Sequence, residues 1–308
     1  MVWYEGVDAV RGCRSDDCAA STVILADVMA STASPLNVSS SPRQIAVDGT
    51  KFYFAQCPTP TNSDCRIASC DVTGCKNTGA TFVAPANGNR RAPIVVGGPG
   101  AVYTHQGIDG AIRTDLATST ESYVGSFYKI GDTLGAIHVD AQSFVYVDDN
   151  ASQVNPTGGV YVCPIAGCPG APKLLLPPPV RLIAAVSDTV FSTTGGAARS
   201  TGSILACPMT GCGGAGTVLA QKQAYTTDIA ADAKAVYWTT AGVADVKTNS
   251  AAVGTVMRCS RPGCAGGPQK IADQLTNPVS VRIDDTYVTW MTYGTPGNKD
   301  GAVYRKRR

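Results

Sequence analysis

Residues 254–264 read GTVMRCSRPGC, where a run of alternating, partly β-branched residues ends in two cysteines five positions apart. The same spacing recurs as CRSDDC, CDVTGC, CPIAGC and CPMTGC, so the chain carries five copies of it. A spacing repeated five times in 308 residues is not a coincidence of composition. It indicates that the chain is built from internal repeats.

A second recurring phrase sets the period of the repeat. In QIAVDGTKFYFA (44–55) and IAADAKAVYWTT (229–240), a short apolar run is followed by a turn with Asp and then by an aromatic-rich run. A third strand (the GTVMRC type) and a weaker fourth strand such as PQKIADQ follow. Copies start near residues 42, 92, 135, 180, 226 and 277, a period of about 45 to 50 residues that is typical of propeller blades. The sequence therefore predicts an all-β chain of four-stranded antiparallel blades, a β-propeller.

The number of blades follows from the two ends of the chain. We predict that residues 1–308 form a single propeller domain in which 1–41 are a partial blade with strands two to four. The segment from Pro278 onward supplies strands one to three of another blade, so the predicted strands sum to 26. Seven blades are favoured, and six blades, with the two ends sharing one, are the alternative. The unit that starts near 92 differs from the others in having no cysteine pair.

The cysteine pairs are predicted to be hairpin disulfides between the third and fourth strands. The first cysteine of each pair ends the third strand and the second begins the fourth, and two residues that flank a tight turn can meet disulfide geometry. A zinc site needs four ligands, whereas each pair offers two and the chain has only His105 and His138. Redox motifs have two intervening residues rather than four. The predicted bonds are Cys13–Cys18, Cys57–Cys65, Cys70–Cys75, Cys163–Cys168, Cys207–Cys212 and Cys259–Cys264.

Composition and disulfides together indicate the compartment. Disulfides form in oxidising compartments, so we expect a secreted, periplasmic or outer-envelope-attached protein, although no signal peptide is visible in this chain. No run of 18 apolar residues is present, so we expect no membrane span. The net charge is +2 and charged residues make up 16%, which argues against nucleic acid as a partner. We expect a monomer.

The aromatic phrases carry a family resemblance. IAADAKAVYWTT (229–240) and NPVSVRIDDTYVTWM (277–291) resemble the YWTD-type repeat of six-bladed propellers, and they are similar to NHL and TolB-like propellers. With its added cysteine pairs, the repeat looks like the secreted or lipid-anchored propellers of myxobacteria. The resemblance covers nearly the whole chain and implies a disc with a central channel and a ligand face. Because YWTT departs from YWTD in its last residue, the receptor function of YWTD proteins is not implied.

The chain shows no recognisable catalytic motif. G-x-S-x-G is absent, and GGPG (97–100) has neither the lysine nor the helix of a phosphate-binding loop. Aspartates recur directly after the first strand of each unit, where they are predicted to cap turns: Asp48, Asp140, Asp188, Asp232 and Asp284. Aromatic residues of the second strands are predicted to pack between blades: Tyr53, Tyr103, Tyr146, Tyr237, Trp238 and Trp290. We expect no metal site and no cofactor.

The predicted ligand site lies among the long loops between strands two and three. These loops are polar and irregular, they occupy the same place in each repeat, and function tends to reside in such loops on a rigid scaffold. Polar residues at the start of first strands, or at the end of second strands, are predicted to reach the same end of the propeller: Arg43, Arg91, His105, Asp148, Arg181 and Asp228. Several arginines at one rim would suit an acidic group such as a peptide carboxylate.

The function favoured by these features is binding rather than catalysis. The leading hypothesis is a non-catalytic, extracytoplasmic propeller that holds a peptide, glycan or small natural product at its loop-rich end, and a protein partner is not excluded. One alternative is an enzyme that uses the channel, either a lactonase-like hydrolase or a protein similar to strictosidine synthase. A scaffold within the cell envelope is the other alternative.

The disulfide pattern is directly testable. Peptide mapping under non-reducing conditions should recover all six predicted bonds, including Cys13–Cys18 and Cys57–Cys65, from protein made in an oxidising compartment. Free thiols throughout such protein would contradict both the hairpin disulfides and the predicted location outside the cytosol.

Overall fold

The computed structural model describes residues 2–5, 9–12, 23–27, 45–56, 66–75, 81–82, 96–98, 100–106, 110–125, 134–148, 158–168, 171–195, 202–223, 225–241, 253–295 and 300–308. These residues form 26 β-strands, the number predicted from the repeat, and no helix occurs among them. The all-β prediction is therefore confirmed for this part of the chain. None of the residues described forms a helix that is long and apolar enough to cross a membrane.

The strands form a series of antiparallel sheets in chain order. Two sheets have three strands each: β1 (Val2–Glu5), β2 (Ala9–Gly12) and β3 (Val23–Asp27), and, at the other end of the chain, β24 (Pro278–Ile283), β25 (Tyr287–Thr292) and β26 (Ala302–Arg307). Both match the three-stranded units predicted at the ends. The other sheets have four strands each, and in every sheet each strand pairs with the next strand along the chain.

The four-stranded sheets reproduce the predicted blade. They are β4 (Ala46–Asp48), β5 (Lys51–Gln56), β6 (Arg66–Asp71) and β7 (Thr81–Phe82); β8 (Val96–Gly98), β9 (Ala101–Gln106), β10 (Gly110–Asp115) and β11 (Glu121–Gly125); β12 (Leu134–Val139), β13 (Ser143–Asp148), β14 (Gly159–Pro164) and β15 (Lys173–Leu176); β16 (Val180–Val186), β17 (Thr189–Gly195), β18 (Gly202–Pro208) and β19 (Thr217–Gln221); β20 (Thr226–Ala231), β21 (Ala235–Thr240), β22 (Val253–Ser260) and β23 (Gln269–Thr276). The sheet β8–β11, which has no cysteine pair, is as regular as the others.

The chain divides into two compact units. The first comprises Met1–Thr133, Val139–Phe144 and Pro164–Gly170, and the second comprises Leu134–His138, Val145–Cys163 and Ala171–Arg308. One core cluster of the first unit joins Ala46, Tyr53, Ile67 and Val102. One core cluster of the second unit joins Phe191, Ile204, Val236 and Trp238 with the disulfide cysteines Cys259 and Cys264. Each unit thus has apolar side chains from neighbouring sheets packed against each other.

Burial falls from the second strand of a sheet to the fourth. All six residues of β21 are buried, whereas none of the eight residues of β23 is. The six aromatic residues predicted to pack are each at most 5% exposed, which confirms that prediction. In the sheet β20–β23 the second strand therefore contributes most to the core, and the fourth strand is the more exposed edge.

Three of the five aspartates predicted to cap the turn between the first and second strands do so, whereas Asp188 accepts from the Thr189 hydroxyl instead. Asp140 accepts hydrogen bonds from the backbone N–H groups of Gln142 and Ser143 at 2.8 and 2.7 Å. Asp232 accepts two equivalent bonds, from Lys234 and Ala235, and Asp284 accepts two from Thr286 and Tyr287. One carboxylate oxygen thus satisfies two backbone donors that the turn leaves without a strand partner.

Four of the six predicted disulfides fall within the described residues, and all four are present. They join Cys70 to Cys75, Cys163 to Cys168, Cys207 to Cys212 and Cys259 to Cys264. The pairs Cys13–Cys18 and Cys57–Cys65 lie outside the described residues and stay predictions. In each observed pair the first cysteine lies at or near the end of the third strand, and the second lies beyond the turn. We refer to these turns as staple hairpins.

A staple hairpin is expected to stabilise its sheet by constraining the unfolded chain. Closing a loop of about five residues contributes about 2 kcal/mol in the chain-entropy account. We therefore expect Cys207→Ala with Cys212→Ala to lower the free energy of unfolding by about 2 kcal/mol, measured by urea denaturation. Thr210→Ala, an exposed change in the same turn, is the control and should shift it by no more than about 0.5 kcal/mol. Equal stability of the double variant and the control would contradict this account.

Candidate functional site

A cleft with a volume of about 330 Å³ opens within the first unit. One wall is a row of polar side chains on the sheet β8–β11, formed by Tyr103, Arg113 and Ser122. Tyr123 and Val124 continue this wall along β11. The volume lies near the lower end of the range found for small-molecule sites.

The row follows from the register of three neighbouring strands. Arg113 of β10 lies directly opposite Tyr103 of β9 on one side and directly opposite Ser122 of β11 on the other. Side chains of residues paired across antiparallel strands point to the same face of the sheet. Residues nine or ten positions apart in sequence are therefore brought side by side by the backbone hydrogen bonds of the sheet.

The facing wall is built from two turns that follow in the chain. Ala141 lies in the aspartate-capped turn between β12 and β13, and Ile165 and Ala166 lie in the staple hairpin after β14. The backbone N–H of Ile165 donates to the carbonyl of Gln142 at 2.8 Å, which joins the two turns. The cleft therefore lies between a sheet face and two cross-linked turns.

A glycine in the staple hairpin sets the distance between the two walls. Gly167 has a φ of +110°, and a Cβ at this position would lie 3.2 Å from the carbonyl oxygen of Val124. The next residue, Cys168, donates its backbone N–H to the same oxygen at 3.1 Å. Glycine is required here because the chain needs a left-handed conformation and a close approach of two backbones.

Tyr103 is the unusual member of the row. Its side chain is fully buried and its ring lies 5.8 Å from the ring of Phe144, yet its hydroxyl has no hydrogen-bond partner among the described residues. Burial raises the pKa of Tyr103 above its ordinary value, and the Arg113 guanidinium, which lies near the hydroxyl but outside hydrogen-bonding geometry, offsets part of that rise. The phenol is thus neutral at physiological pH and keeps a proton that it can donate.

Arg113 is held in place by Asp115. A guanidinium nitrogen of Arg113 lies 3.2 Å from Oδ2 of Asp115, while Oδ1 of Asp115 accepts from Ala117 and from both the backbone and the hydroxyl of Thr118. These bonds, above all the one from the Thr118 backbone, lower the pKa of Asp115, so it is ionised at neutral pH. The carboxylate positions the arginine, whose remaining N–H groups are available for other acceptors.

The structure describes four of the six residues predicted to contact a ligand. Arg43 and Arg91 lie outside the described residues, and only the backbone of His105 is described, in β9 opposite Ala111. Asp148 is buried at the end of β13, and Arg181 is half-buried in β16. None of the four residues that fall in the described part of the chain is among those lining the cleft. The predicted site at the loop-rich end stays a prediction.

Asp228 has a structural role in the second unit. Its Oδ2 accepts from the backbone N–H of Val281 at 2.9 Å and from the Arg282 guanidinium at 2.6 Å. Its Oδ1 accepts from the backbone of Ile229 at 2.9 Å. The carboxylate thus joins β20 to β24 of the next sheet, which accounts for a polar residue at this position without any ligand.

Metal ligands are not clustered in the part of the chain that the structure describes. No group of three or more His, Cys, Asp or Glu side chains is arranged there to hold an ion.

One feature of the sequence indicates the cleft, although it is not among the residues predicted to form a site. GAIRTD (110–115) is a third strand with a charged residue at its centre, and Arg113 falls opposite the aromatic residue of the second strand once the two are paired. Tyr103 itself was predicted to pack between blades, and it does. What the pattern alone does not reveal is that its hydroxyl is left without a partner.

Comparison with known proteins identifies the fold. No family model and no curated protein matches the chain. Among solved structures it is similar to the tricorn protease (TM-score 0.63, 11% identity, 99% of this chain and 33% of that chain) and to the computationally designed Ika8 protein (0.58, 14%, 100% and 83%). It is also similar to the WD40 β-propeller domain of Doa1 (0.55, 12%, 92% and 83%). The chain thus spans a third of the tricorn protease, and at these identities the likeness shows a β-propeller fold and nothing of the activity.

The unpartnered hydroxyl gives a stability test. Tyr103 and Tyr237 occupy the same place in their sheets, and Tyr237 Oη accepts from the side chains of Arg258 and Arg308 at 3.3 and 3.2 Å. We expect Tyr103→Phe to leave the free energy of unfolding unchanged or to raise it by about 1 kcal/mol, because a buried hydroxyl without a partner is removed. Tyr237→Phe should lower it by about 1.5 kcal/mol, because bonds to charged donors are lost. Urea denaturation measures both, and an equal loss for the two variants would show that Tyr103 has a partner in solution.

Proposed function

We propose that this protein is a non-catalytic binding propeller that acts outside the cytosol and holds a peptide, glycan or small natural product in the cleft of the first unit. The four disulfides in the described residues support the compartment, since such bonds persist under oxidising conditions. The fold supports the scaffold, since propellers present sites on a rigid set of repeated sheets. The loop-rich end of the propeller remains the alternative surface for the ligand.

The observation that carries the proposal is the pairing of a buried, unpartnered hydroxyl with a positioned guanidinium. Tyr103 and Arg113 both belong to regular strands, so their positions are set by sheet hydrogen bonds rather than by a loop. A buried donor without an acceptor costs about 1 to 3 kcal/mol, and a ligand oxygen placed against it recovers that cost. Donors held in advance by a rigid scaffold favour binding, because less ordering is required when the ligand arrives.

The proposal extends to the arrangement of the blades. The described strands group into seven sheets, two of three strands and five of four. Separate three-stranded sheets at the two ends of the chain support seven blades in a single propeller domain over six, since in the six-bladed alternative the two ends contribute to one sheet.

A ligand screen with three variants tests the function and the surface together. The probes are a set of N-acetylated dipeptides and a set of mono- and disaccharides, and binding is measured by the shift in melting temperature and then by calorimetry. We expect hits whose affinity falls in Arg113→Gln and is unchanged in Arg258→Gln, a variant of the equivalent arginine in the second unit. Mass spectrometry of the recovered probe should show it intact.

Three results would contradict parts of this proposal. Turnover of a probe would replace binding by catalysis. Hits lost in Arg181→Ala with His105→Ala, but kept in Arg113→Gln, would move the site to the loop-rich end. An absence of hits from both sets would remove peptides and glycans of this size from the proposed ligands.

A further inference from the structure

A second copy of the polar row of the cleft occurs in the part of the chain that the structure describes. In the first unit it is Tyr103, Arg113 and Ser122, and in the second unit the same register joins Tyr237 of β21 to Arg258 of β22 and Gln269 of β23. Both tyrosines are the third residue of a second strand and both are fully buried. The two copies can therefore be compared position by position within the same protein.

The second copy is filled by another side chain of the protein. Nε of Arg308 donates to Tyr237 Oη at 3.2 Å, and another nitrogen of Arg308 donates to the carbonyl of Asp284 at 2.7 Å. Arg308 also forms an ion pair with Asp232. Its guanidinium carbon lies 5.5 Å from the centre of the Tyr237 ring. The tyrosine hydroxyl of this copy thus accepts hydrogen bonds from two arginines of the protein, Arg258 and Arg308.

The position that carries Arg308 in the second copy carries Ile165 in the first. The backbone N–H of Arg308 donates to the carbonyl of Thr286, and that of Ile165 donates to the carbonyl of Gln142, in the same turn of the preceding hairpin. Each lies just beyond the third strand of its sheet. Isoleucine has no polar atom with which to reach the tyrosine hydroxyl, and the cleft opens at this place.

The acidic partner of the second copy is also missing from the first. Asp232 lies two residues beyond the strand partner of Tyr237, and the residue two beyond the strand partner of Tyr103 is Gly98. A Cβ at Gly98 would lie 2.8 Å from the Tyr103 ring and 2.9 Å from Val139, so no carboxylate side chain fits there. The first copy therefore lacks a carboxylate at this position, and the acid that pairs with its arginine is Asp115 of the same strand.

Three of the side chains that line the cleft, those of Arg113, Tyr103 and Ser122, offer hydrogen-bond donors. Arg113 is the one charged residue among those that line it in the described part of the chain. Both oxygens of the adjacent Asp115 are already used, Oδ1 by three donors of its own turn and Oδ2 by Arg113 itself. The remaining guanidinium N–H groups, the Tyr103 phenol and the Ser122 hydroxyl can all donate to a ligand.

We infer that the cleft binds a carboxylate, with Arg113 and Tyr103 donating to its oxygens. This inference rests on the proposed binding function and specifies its ligand class. A guanidinium matches a carboxylate in geometry and charge, and bonds of this type are roughly twice as strong as neutral ones. The C-terminus of a peptide and the acid group of a uronic sugar both supply this chemistry.

Matched acid and neutral probes test the inference. N-acetyl-phenylalanine is compared with its primary amide for the peptide source, and glucuronate is compared with glucose for the sugar source, by calorimetry or by NMR titration of the full chain. We expect an acid to bind at least about tenfold more tightly than its neutral counterpart, which is the lower end for a hydrogen bond to a charged group. Arg113→Gln and Tyr103→Phe should each remove most of that difference, while Arg258→Gln in the filled copy should keep it.

The possible outcomes distinguish a failure of the carboxylate preference from a failure of the proposed binding function. If one acid binds and the other does not, the carboxylate is supported and its source is identified. If an acid and its neutral counterpart bind equally with dependence on Arg113, the carboxylate preference is overturned while the binding function stands. If no acid perturbs the cleft at millimolar concentration, the inference is overturned, and the screen with dipeptides and saccharides then decides the function on its own.

Discussion

The constraint on which this structure depends is the burial of aromatic residues in the second strands. Strand β21 is buried along its whole length, and Tyr53, Tyr103, Tyr146 and Trp290 of other second strands are buried as well. A polar group in such a strand loses water on folding, so it must find a partner within the protein or remain costly. Tyr237 meets this requirement through two arginines, whereas no residue that the structure describes provides a partner for the Tyr103 hydroxyl. The difference between these two tyrosines separates a filled site from an open one.

In a repeat protein, a binding site can arise where one copy of the repeat lacks the side chains that fill the same place in another copy. Where two sheets share the same strand register, side chains at equivalent positions face equivalent neighbours unless one of them changes. The first copy has Ile165 where the second copy has Arg308, and it has Gly98 where the second copy has Asp232. These two differences leave a cleft between otherwise conventional elements. The surrounding hydrogen bonds keep the walls in place, so the opening is supported by the scaffold that elsewhere supports a closed contact.

Polar residues that interrupt an apolar strand pattern have different roles in the structure. Asp228 was predicted to contact a ligand, and its carboxylate joins two neighbouring sheets through Val281 and Arg282. Arg113 interrupts the pattern in the same way, and it lines a cleft. Sequence pattern gives both residues the same description because it records polarity and position. Only the positions of other side chains in space decide whether a polar group is already satisfied.

The sequence by itself determined the features that depend on neighbours along the chain. Strand order, the aspartate-capped turns and the staple hairpins all join residues within one repeat, and alternation, turn residues and cysteine spacing record them directly. The burial of the second-strand aromatics was also predictable, because bulky apolar side chains in a central strand have few alternatives to the core. The tertiary structure alone decided the cleft. The cleft depends on the strand register that sets Arg113 beside Tyr103. It also depends on the approach of the turn that contains Ile165, which lies more than 60 residues from Tyr103 along the chain. Finally, it depends on the Tyr103 hydroxyl having no partner among the described residues. These are relations between distant residues, and a local pattern holds no record of them.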